Sequence, residues 1–487
     1  MWHTPSGTAD ARPPASYLLL TLVAGAVFFA VHLPTLASSF EFLLADAGAS
    51  LKVAHLLEEG LRPGVDFGYT YGPLSAVAGQ VGYSVLGRTA PAHLFLVALL
   101  CVGALTGLAR CMARLEHGWT GLVMAAVFAQ PLVRNFGFNL TYGFESACLL
   151  HALAFHLAGR RDRALMLAVL AALVKPSMGI LYSGILVGWI LLSASGVRAA
   201  WAQLRPAAIT AAVALALCVA FLGGPSVVKT AIPVAGVSHY GALEPPLTKL
   251  VRTLVAPQGV NFNYYLGTLA GFWLLGSGVL VLGAVRSLRA AWARSPQAEV
   301  AVTCAGLHLA FATLFFGPWQ TYLGLLAVGL FCVVERQALR WVLVAAAVLG
   351  SKQMTTASVA GWKERRPDAS LMGSWVRQSE RQELNDLMHT ASSRPIYFVT
   401  TGYPEGAFPH SRGTPSWFVV PGVPLSHEQE AIVRDVRASP VVAVGKVQGI
   451  GPLQFDWLRQ ALSGHTLERD GALFTVFVND SASAPAE

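Results

Sequence analysis

Apolar runs of close to 20 residues, separated by short polar stretches, recur from Tyr17 to about Gly350. A run of that length crosses the ~30 Å hydrocarbon core of a bilayer as a helix, because a helix satisfies its backbone polar groups internally. The pattern predicts a polytopic α-helical membrane protein with about eleven transmembrane helices. The predicted spans are about 17–36, 91–109, 119–133, 142–158, 164–174, 177–194, 207–223, 264–285, 298–315, 321–334 and 341–352.

The composition agrees with that pattern, since 54% of the residues are hydrophobic and 12% are charged, about half the charged share of a soluble domain. The net charge of +8 does not indicate a nucleic-acid partner, because the basic residues lie mostly in short loops between apolar segments. The six cysteines lie in or beside predicted spans and lack metal-ligand spacing, so we expect them to pack as small apolar residues.

The sequence Lys175-Pro176 interrupts an apolar stretch that could form either two helices with a tight turn or one kinked helix. The basic residues favour two helices. With a cytoplasmic N-terminus and a break here, 13 basic residues fall in about 60 inside positions and 8 in about 110 outside positions, as the positive-inside rule requires. A single helix would move every later loop to the other side of the membrane and would place the Arg-rich loops outside. The predicted topology therefore has the N-terminus in the cytoplasm and the C-terminus outside.

Residues 1–360 are predicted to form the transmembrane domain, with long external loops at 37–90 and 224–263. Within the first loop, Ala45–Glu59 shows a helical stripe of apolar residues opposite Lys52, Glu58 and Glu59, and it predicts a helix at the membrane interface.

Residues 361–487 have the composition of a soluble domain, which we expect to be small and α/β. Helices are predicted at Ser374–His389 and Phe455–Leu462, and strands at Ile396–Thr401, Val441–Val447 and Ala472–Val478.

Ionisable residues at membrane depth are costly, so their positions are informative. In the predicted topology the unusual ones gather near the outer surface: Asp46, Asp66, Arg134, Glu145 and Lys175. The inner halves of the predicted spans carry almost no charge. Such a distribution favours a cavity open to the outer face over a path through the membrane, and it argues against a transporter or channel.

The first external loop carries the most specific motif. It reads Asp46-Ala-Gly48, then Glu59-Gly60-x-x-Pro63-x-x-Asp66-Phe67-x-Tyr69-x-Tyr71-Gly72-Pro73-Leu74. This loop resembles the one after the first helix in the GT-C superfamily of membrane glycosyltransferases, which includes protein O-mannosyltransferases and the aminoarabinose transferases of lipid A. The segment Leu170–Lys175-Pro176 is similar to their Leu-x-Lys segment at the end of a middle helix. The general plan agrees across residues 17–350, and the motifs occupy about 35 residues.

The resemblance implies an inverting glycosyltransferase that takes a sugar from a polyprenyl-phosphate donor and passes it to a lipid, glycan or protein acceptor. It makes Asp46 the general base, a role worth about 10²–10⁴ in rate because a hydroxyl is a poor nucleophile before it loses its proton. The leaving phosphate needs a cation, and the candidates are Lys175, Arg134 and Arg252.

The remaining substrate-binding candidates are Asp66, Glu145, Tyr69 and Tyr71. Asp66 could position the acceptor or help bind a metal. Some relatives use a divalent cation such as Mg or Mn and others do not, so no metal ligand is assigned.

Each candidate also has a structural interpretation, and the sequence leaves both open. Asp46 could cap the helix that follows it, and Asp66 could close a turn. Tyr69 and Tyr71 could be interfacial aromatics. Lys175 could extend from its helix end to the interface, and Glu145 could simply be solvated.

No nucleotide-binding motif stands in a suitable context, which favours a lipid-linked donor. A lipid-linked glycan ligase or polymerase is the alternative enzyme, and in that case His239 and Arg252 would matter more than Asp46. A non-catalytic translocator or assembly subunit of an envelope polysaccharide pathway is the alternative from another class. The Ala- and Arg-rich composition is typical of a high-GC bacterium, so we expect the inner (plasma) membrane, with the C-terminal domain periplasmic or extracellular.

Overall fold

The computed structural model describes residues 15–115, 118–136, 139–232, 266–314, 323–415, 426–446, 453 and 455–479. This part of the chain is mostly helical and ends in a small sheet region. The first helices are α1 Ala15–Leu36, α2 Ser39–Leu43, α3 Asp46–Glu58, α4 Pro73–Leu86, α5 Ala90–Leu115, α6 Trp119–Phe136, α7 Leu140–Leu157 and α8 Arg161–Val174. The next are α9 Met178–Ser193, α10 Val197–Leu222, α11 Gly224–Ala231, α12 Leu266–Trp292, α13 Pro296–Leu314, α14 Leu323–Val333 and α15 Gln337–Glu364.

A helix lies at each of the eleven predicted spans. Three of them, α1, α5 and α10, are long and apolar enough to cross a membrane. These three are the helices within the described residues that meet both criteria, and an eleven-span membrane topology stays a prediction. The large apolar core of the bundle forms mainly between α1, α5, α6, α7 and α8, together with α13 and α14.

The break at Lys175-Pro176 is confirmed, because α8 ends at Val174 and α9 begins at Met178. Proline removes a backbone donor and disfavours the helical conformation of the residue before it. Lys175 accordingly has extended backbone angles, φ −146° and ψ 109°. The two helices pack closely across the turn, since a Cβ on Gly179 would lie 2.1 Å from the backbone nitrogen of Ala172.

The C-terminal domain follows directly on α15. Its elements are β1 Arg365–Asp368, β2 Ser374–Arg377, α16 Gln378–Ser393, β3 Ile396–Val399, β4 Ser411–Gly413, α17 Ser426–Ala438, β5 Val441–Gly445, α18 Asp456–Ala461, β6 Thr466–Asp470 and β7 Phe474–Val478. The five-stranded sheet has the order β4-β3-β5-β7-β6, in which β3 pairs parallel with β4 and β5 and the other pairs are antiparallel. The predicted sheet region at the C-terminus is confirmed. The helix predicted at Ser374–His389 begins only at Gln378, because Ser374–Arg377 pairs with β1 as strand β2.

Helix α3 lies between the two domains. One set of its apolar residues, Ala47, Leu51 and Ala54, belongs to the core that contains Phe398 and Phe474 of the C-terminal domain. Another set packs against the rest of the first loop and against α10 and α11: Ala49, Val53 and Leu56. Lys52, which the sequence pattern places on a polar face, is fully buried.

A largely buried cluster of polar and charged side chains lies at the end of α7 and the starts of α8 and α13. His156 lies 3.1 Å from Glu299, and Arg161 donates to both oxygens of the same carboxylate. The imidazole also lies 3.2 Å from the Tyr182 hydroxyl. These contacts join α7, α8, α9 and α13, and the hydropathy pattern gave no indication of them.

Candidate functional site

Asp46 is the first residue of α3, and the N-cap position belongs to Ala45, which makes no side-chain capping bond. Asp46 therefore does not cap the helix. Its carboxylate lies near the side chain of Asn139 and within electrostatic range of Lys175, and both lower its pKa. The side chain is only partly buried. Asp46 thus lies near the start of α7 and the end of α8 and remains partly exposed.

Asn139 connects Asp46 to the first loop. It caps α7, because its side-chain oxygen accepts from the Thr141 amide at 2.9 Å. Its side-chain nitrogen donates to the Tyr71 hydroxyl at 2.9 Å and has a second hydrogen for Asp46. The amide is 2% exposed, so its orientation is fixed by partners on three different segments.

Lys175 is the cation that acts on Asp46, and it is itself paired with Glu145. The Lys175 ammonium lies 3.9 Å from a carboxylate oxygen of Glu145 and 4.2 Å from the centre of the Tyr142 ring. Lys175 is 15% exposed, whereas Glu145 is fully buried. Glu145 is therefore a buried ion-pair partner and not a solvated residue. A cation held over an aromatic face and beside two carboxylates is confined to a small volume.

Gly72 fixes the distance between the first loop and Lys175. Its backbone amide donates to the carbonyl of Val174 at 2.9 Å, and a Cβ at this position would lie 2.0 Å from the carbonyl oxygen of Leu173. Only glycine permits that approach. The residues Tyr71-Gly72-Pro73 therefore bind to the last turn of α8, next to the lysine.

Tyr69 and Tyr71 are buried at 5% and 8% exposure, so they are not interfacial aromatics. The Tyr69 hydroxyl lies 2.7 Å from the Ser75 hydroxyl. Both tyrosines line a cavity of about 20 Å³ together with Ser50, Ser75, Gln80, Tyr83, Thr141 and five apolar or small residues, which is room for one water-sized group. A buried oxygen of Gln80 has no hydrogen-bond partner among the described residues.

The pKa values of the two central groups reflect their surroundings. Burial raises the pKa of the Asp46 carboxyl to about 6, against the opposing effects of the Asn139 hydrogen bond and the Lys175 charge. Burial lowers the pKa of the Lys175 ammonium, while Glu145 and Asp46 act in the other direction. A carboxylate with a pKa near 6 is mostly ionised at neutral pH and still basic enough to accept a proton.

Asp66 forms the turn contacts that were one of the two interpretations left open by the sequence. Its carboxylate accepts from the backbone of Arg62 at 2.8 Å and from the Arg62 side chain at 3.1 Å. Although burial raises the pKa of Asp66, the bonds from Arg62 outweigh that effect and lower it. The turn is also closed by the bond from the Gly64 amide to the Phe67 carbonyl. The carboxylate stabilises this turn.

Three predicted residues lie wholly or partly outside the described structure. Arg134 lies in the last turn of α6, but its side chain is outside the described part. Arg252 and His239 lie outside the described residues, as does most of residues 224–263, the second loop that was predicted to be external. Among the residues that the structure does describe, no group of three or more His, Cys, Asp and Glu side chains could hold a metal ion.

Sequence reasoning did not assign Asn139, Tyr142 or Lys52 to the site. Asn139 had one usable signal, because it immediately precedes an apolar segment at a capping position. Lys52 had none, since a lysine on a helix is normally solvated.

The chain matches no family model, no curated protein and no solved structure. The glycosyltransferase resemblance therefore rests on the two sequence motifs alone, the first-loop motif and the segment that ends in Lys175-Pro176.

Proposed function

We propose that this protein is an integral membrane glycosyltransferase that moves a sugar from a polyprenyl-phosphate donor to an acceptor hydroxyl at the outer face of the membrane, with inversion at the anomeric carbon. The observation that supports the proposal best is that Asp46 lies within electrostatic range of Lys175 and that both side chains are partly exposed. These two residues come from separate motifs of the resemblance, 129 positions apart (175 − 46).

In the proposed reaction the acceptor oxygen attacks the anomeric carbon on the face opposite the phosphate. The bond between that carbon and the phosphate oxygen breaks, and its electron pair stays on the leaving polyprenyl phosphate. The acceptor proton passes to Asp46. A pKa near 6 suits that step, because the group is ionised before the reaction and can hold the proton afterwards.

Lys175 faces the negative charge that develops on the leaving phosphate. Its pairing with Glu145 holds the ammonium in place, but it also offsets part of the charge. With Asp46 and Glu145 both ionised, the three groups sum to −1, so a phosphate needs a further cation. The proposal assigns that role to Arg134, at the end of α6, and to Arg252.

The test uses the full-length protein in liposomes with a panel of polyprenyl-phosphate hexoses and a membrane extract as acceptor. Asp46→Asn should lower transfer by about 10²-fold or more while leaving folding intact. Asp66→Asn is the matched control, since it alters a turn in the same loop, and it should retain most of the activity. Equal activity of Asp46→Asn and wild type would refute the assignment of the base.

A further inference from the structure

Helix α3 is held from its C-terminal-domain side by an unusual buried lysine. The Lys52 ammonium donates to the carbonyl of Thr400 at 3.0 Å and to the hydroxyl of Thr414 at 2.8 Å. Both acceptors directly follow strands of the C-terminal sheet, β3 and β4. A fully buried lysine is costly unless its hydrogens are bonded and its charge is balanced.

Two carboxylates supply that balance. Burial lowers the pKa of Lys52, and Glu405 and Glu428 oppose the effect. Burial raises the pKa of Glu405, and Lys52 opposes it. Glu428 also accepts from the Gly68 amide of the first loop at 3.0 Å. The lysine therefore lies at a junction where α3, the first loop and the C-terminal domain meet.

The backbones of the two domains are also in direct contact beside this junction. The Tyr403 amide donates to the Phe42 carbonyl at 2.9 Å, just before α3. A Cβ on Gly48 would lie 1.9 Å from the same carbonyl oxygen and 2.7 Å from the Tyr403 nitrogen. The Thr400 hydroxyl donates to the Leu43 carbonyl at 3.2 Å. The start of α3 is therefore seated on the loop after β3.

Lys52 follows Asp46 by six residues, which is about 9 Å along a helix. Asp46 points to membrane-domain partners, Asn139 and Lys175, whereas Lys52 points to the C-terminal domain. The two contacts hold α3 from different sides.

We propose that Lys52 is a positioning residue, which fixes α3 to the C-terminal domain and thereby holds Asp46 in place near Asn139 and Lys175. Its consequence for catalysis rests on the proposed function, but the positioning itself does not. The C-terminal domain then positions Asp46, the candidate base, through its contacts with Lys52 on α3.

The test measures the protonation of Asp46 without any sugar donor. The full-length protein in detergent is treated with a hydrophobic carbodiimide, which adds to protonated carboxyls, and the labelled Asp46 peptide is quantified by mass spectrometry from about pH 5 to 8. The wild-type midpoint should lie near pH 6. In the double variant Lys52→Met with Glu405→Gln, which removes the lysine without leaving Glu405 uncompensated, the midpoint should fall to about 5 or below, because Asp46 regains solvent.

Thr414→Val is a milder change at the same place. It removes the Lys52–Thr414 bond and the bond from the Thr414 hydroxyl to the Thr400 carbonyl, but it keeps the bond from Lys52 to Thr400. The control is Lys363→Met, at an exposed lysine near the end of α15, whose midpoint should stay near 6. A midpoint that stays near 6 in the folded double variant and in Thr414→Val would overturn the proposal, and so would an equal fall in Lys363→Met. A lowered midpoint in the double variant, together with a wild-type protein that transfers no sugar, would preserve the positioning role and refute the proposed function alone.

Discussion

The contact between Gly72 and the end of α8 can be tested by a single methyl group. In Gly72→Ala the new carbon would lie 2.0 Å from the carbonyl oxygen of Leu173 and 3.0 Å from the carbonyl carbon of Val174. An ordinary carbon-to-oxygen contact is about 3.3 Å or longer. The loop and the helix end must therefore separate by about 1 Å.

That separation breaks the hydrogen bond from the Gly72 amide to the Val174 carbonyl, worth about 0.5–1.5 kcal/mol. Overpacking at a rigid backbone contact adds about 1–3 kcal/mol. We expect Gly72→Ala to lower the free energy of unfolding by about 2–4 kcal/mol in total. Lys175 adjoins this contact, so the distance between Lys175 and the first loop should also increase.

The assay is equilibrium unfolding of the purified protein in mixed detergent, followed by tryptophan fluorescence. The matched control is Gly184→Ala in α9, where a Cβ would meet open space. Alanine is about 0.5–1 kcal/mol better than glycine inside a helix, so the control should be as stable as wild type or more stable. If Gly72→Ala unfolds within about 0.5 kcal/mol of wild type, the inferred close contact at α8 is wrong.

Two further predictions concern charges on either side of the junction. Glu383→Gln should destabilise the C-terminal domain by about 1–3 kcal/mol, because Glu383 accepts from the backbone amides of Ala472, Leu473 and Phe474. The control is Asp386→Asn, which removes an exposed ion pair with Arg469. In the same denaturation assay it should lower the free energy of unfolding by less than about 1 kcal/mol. Lys175→Met should move the carbodiimide-labelling midpoint of Asp46 above 6, since the lysine charge lowers that pKa. A midpoint that stays near 6 would show that the two groups do not interact.

The positions of the helices followed from hydropathy because each long apolar run has to bury itself in lipid or protein. The break at Lys175-Pro176 followed from the chemistry of proline, and the structure confirms it. Helix α4 in the first loop was not predicted, although Pro73 stands at a favoured first position. Its composition is apolar on several sides, so it gave no amphipathic pattern.

The candidate site was predictable only where a residue type was unusual for its surroundings. Asp46, Glu145 and Lys175 were singled out because charges are rare beside apolar spans. The capping and tyrosine contacts of Asn139 depend on the meeting of α7 with the first loop. The burial of Lys52 depends on its contacts with Thr400 and Thr414, which lie about 350 positions later in the chain. Local sequence patterns carry no information on such distant pairs.

The most direct test of the proposed base is the pH dependence of sugar transfer from a polyprenyl-phosphate hexose by the full-length protein in liposomes. Asp46 acts as a base only when ionised, and its pKa is raised to about 6. As the pH falls through 6, the ionised fraction falls, so kcat/KM should drop about tenfold for each further pH unit. Asp46→Asn should show low residual transfer without this acid limb. A profile that stays flat down to about pH 5, or an acid limb that persists in Asp46→Asn, would contradict the assignment of Asp46 as the base.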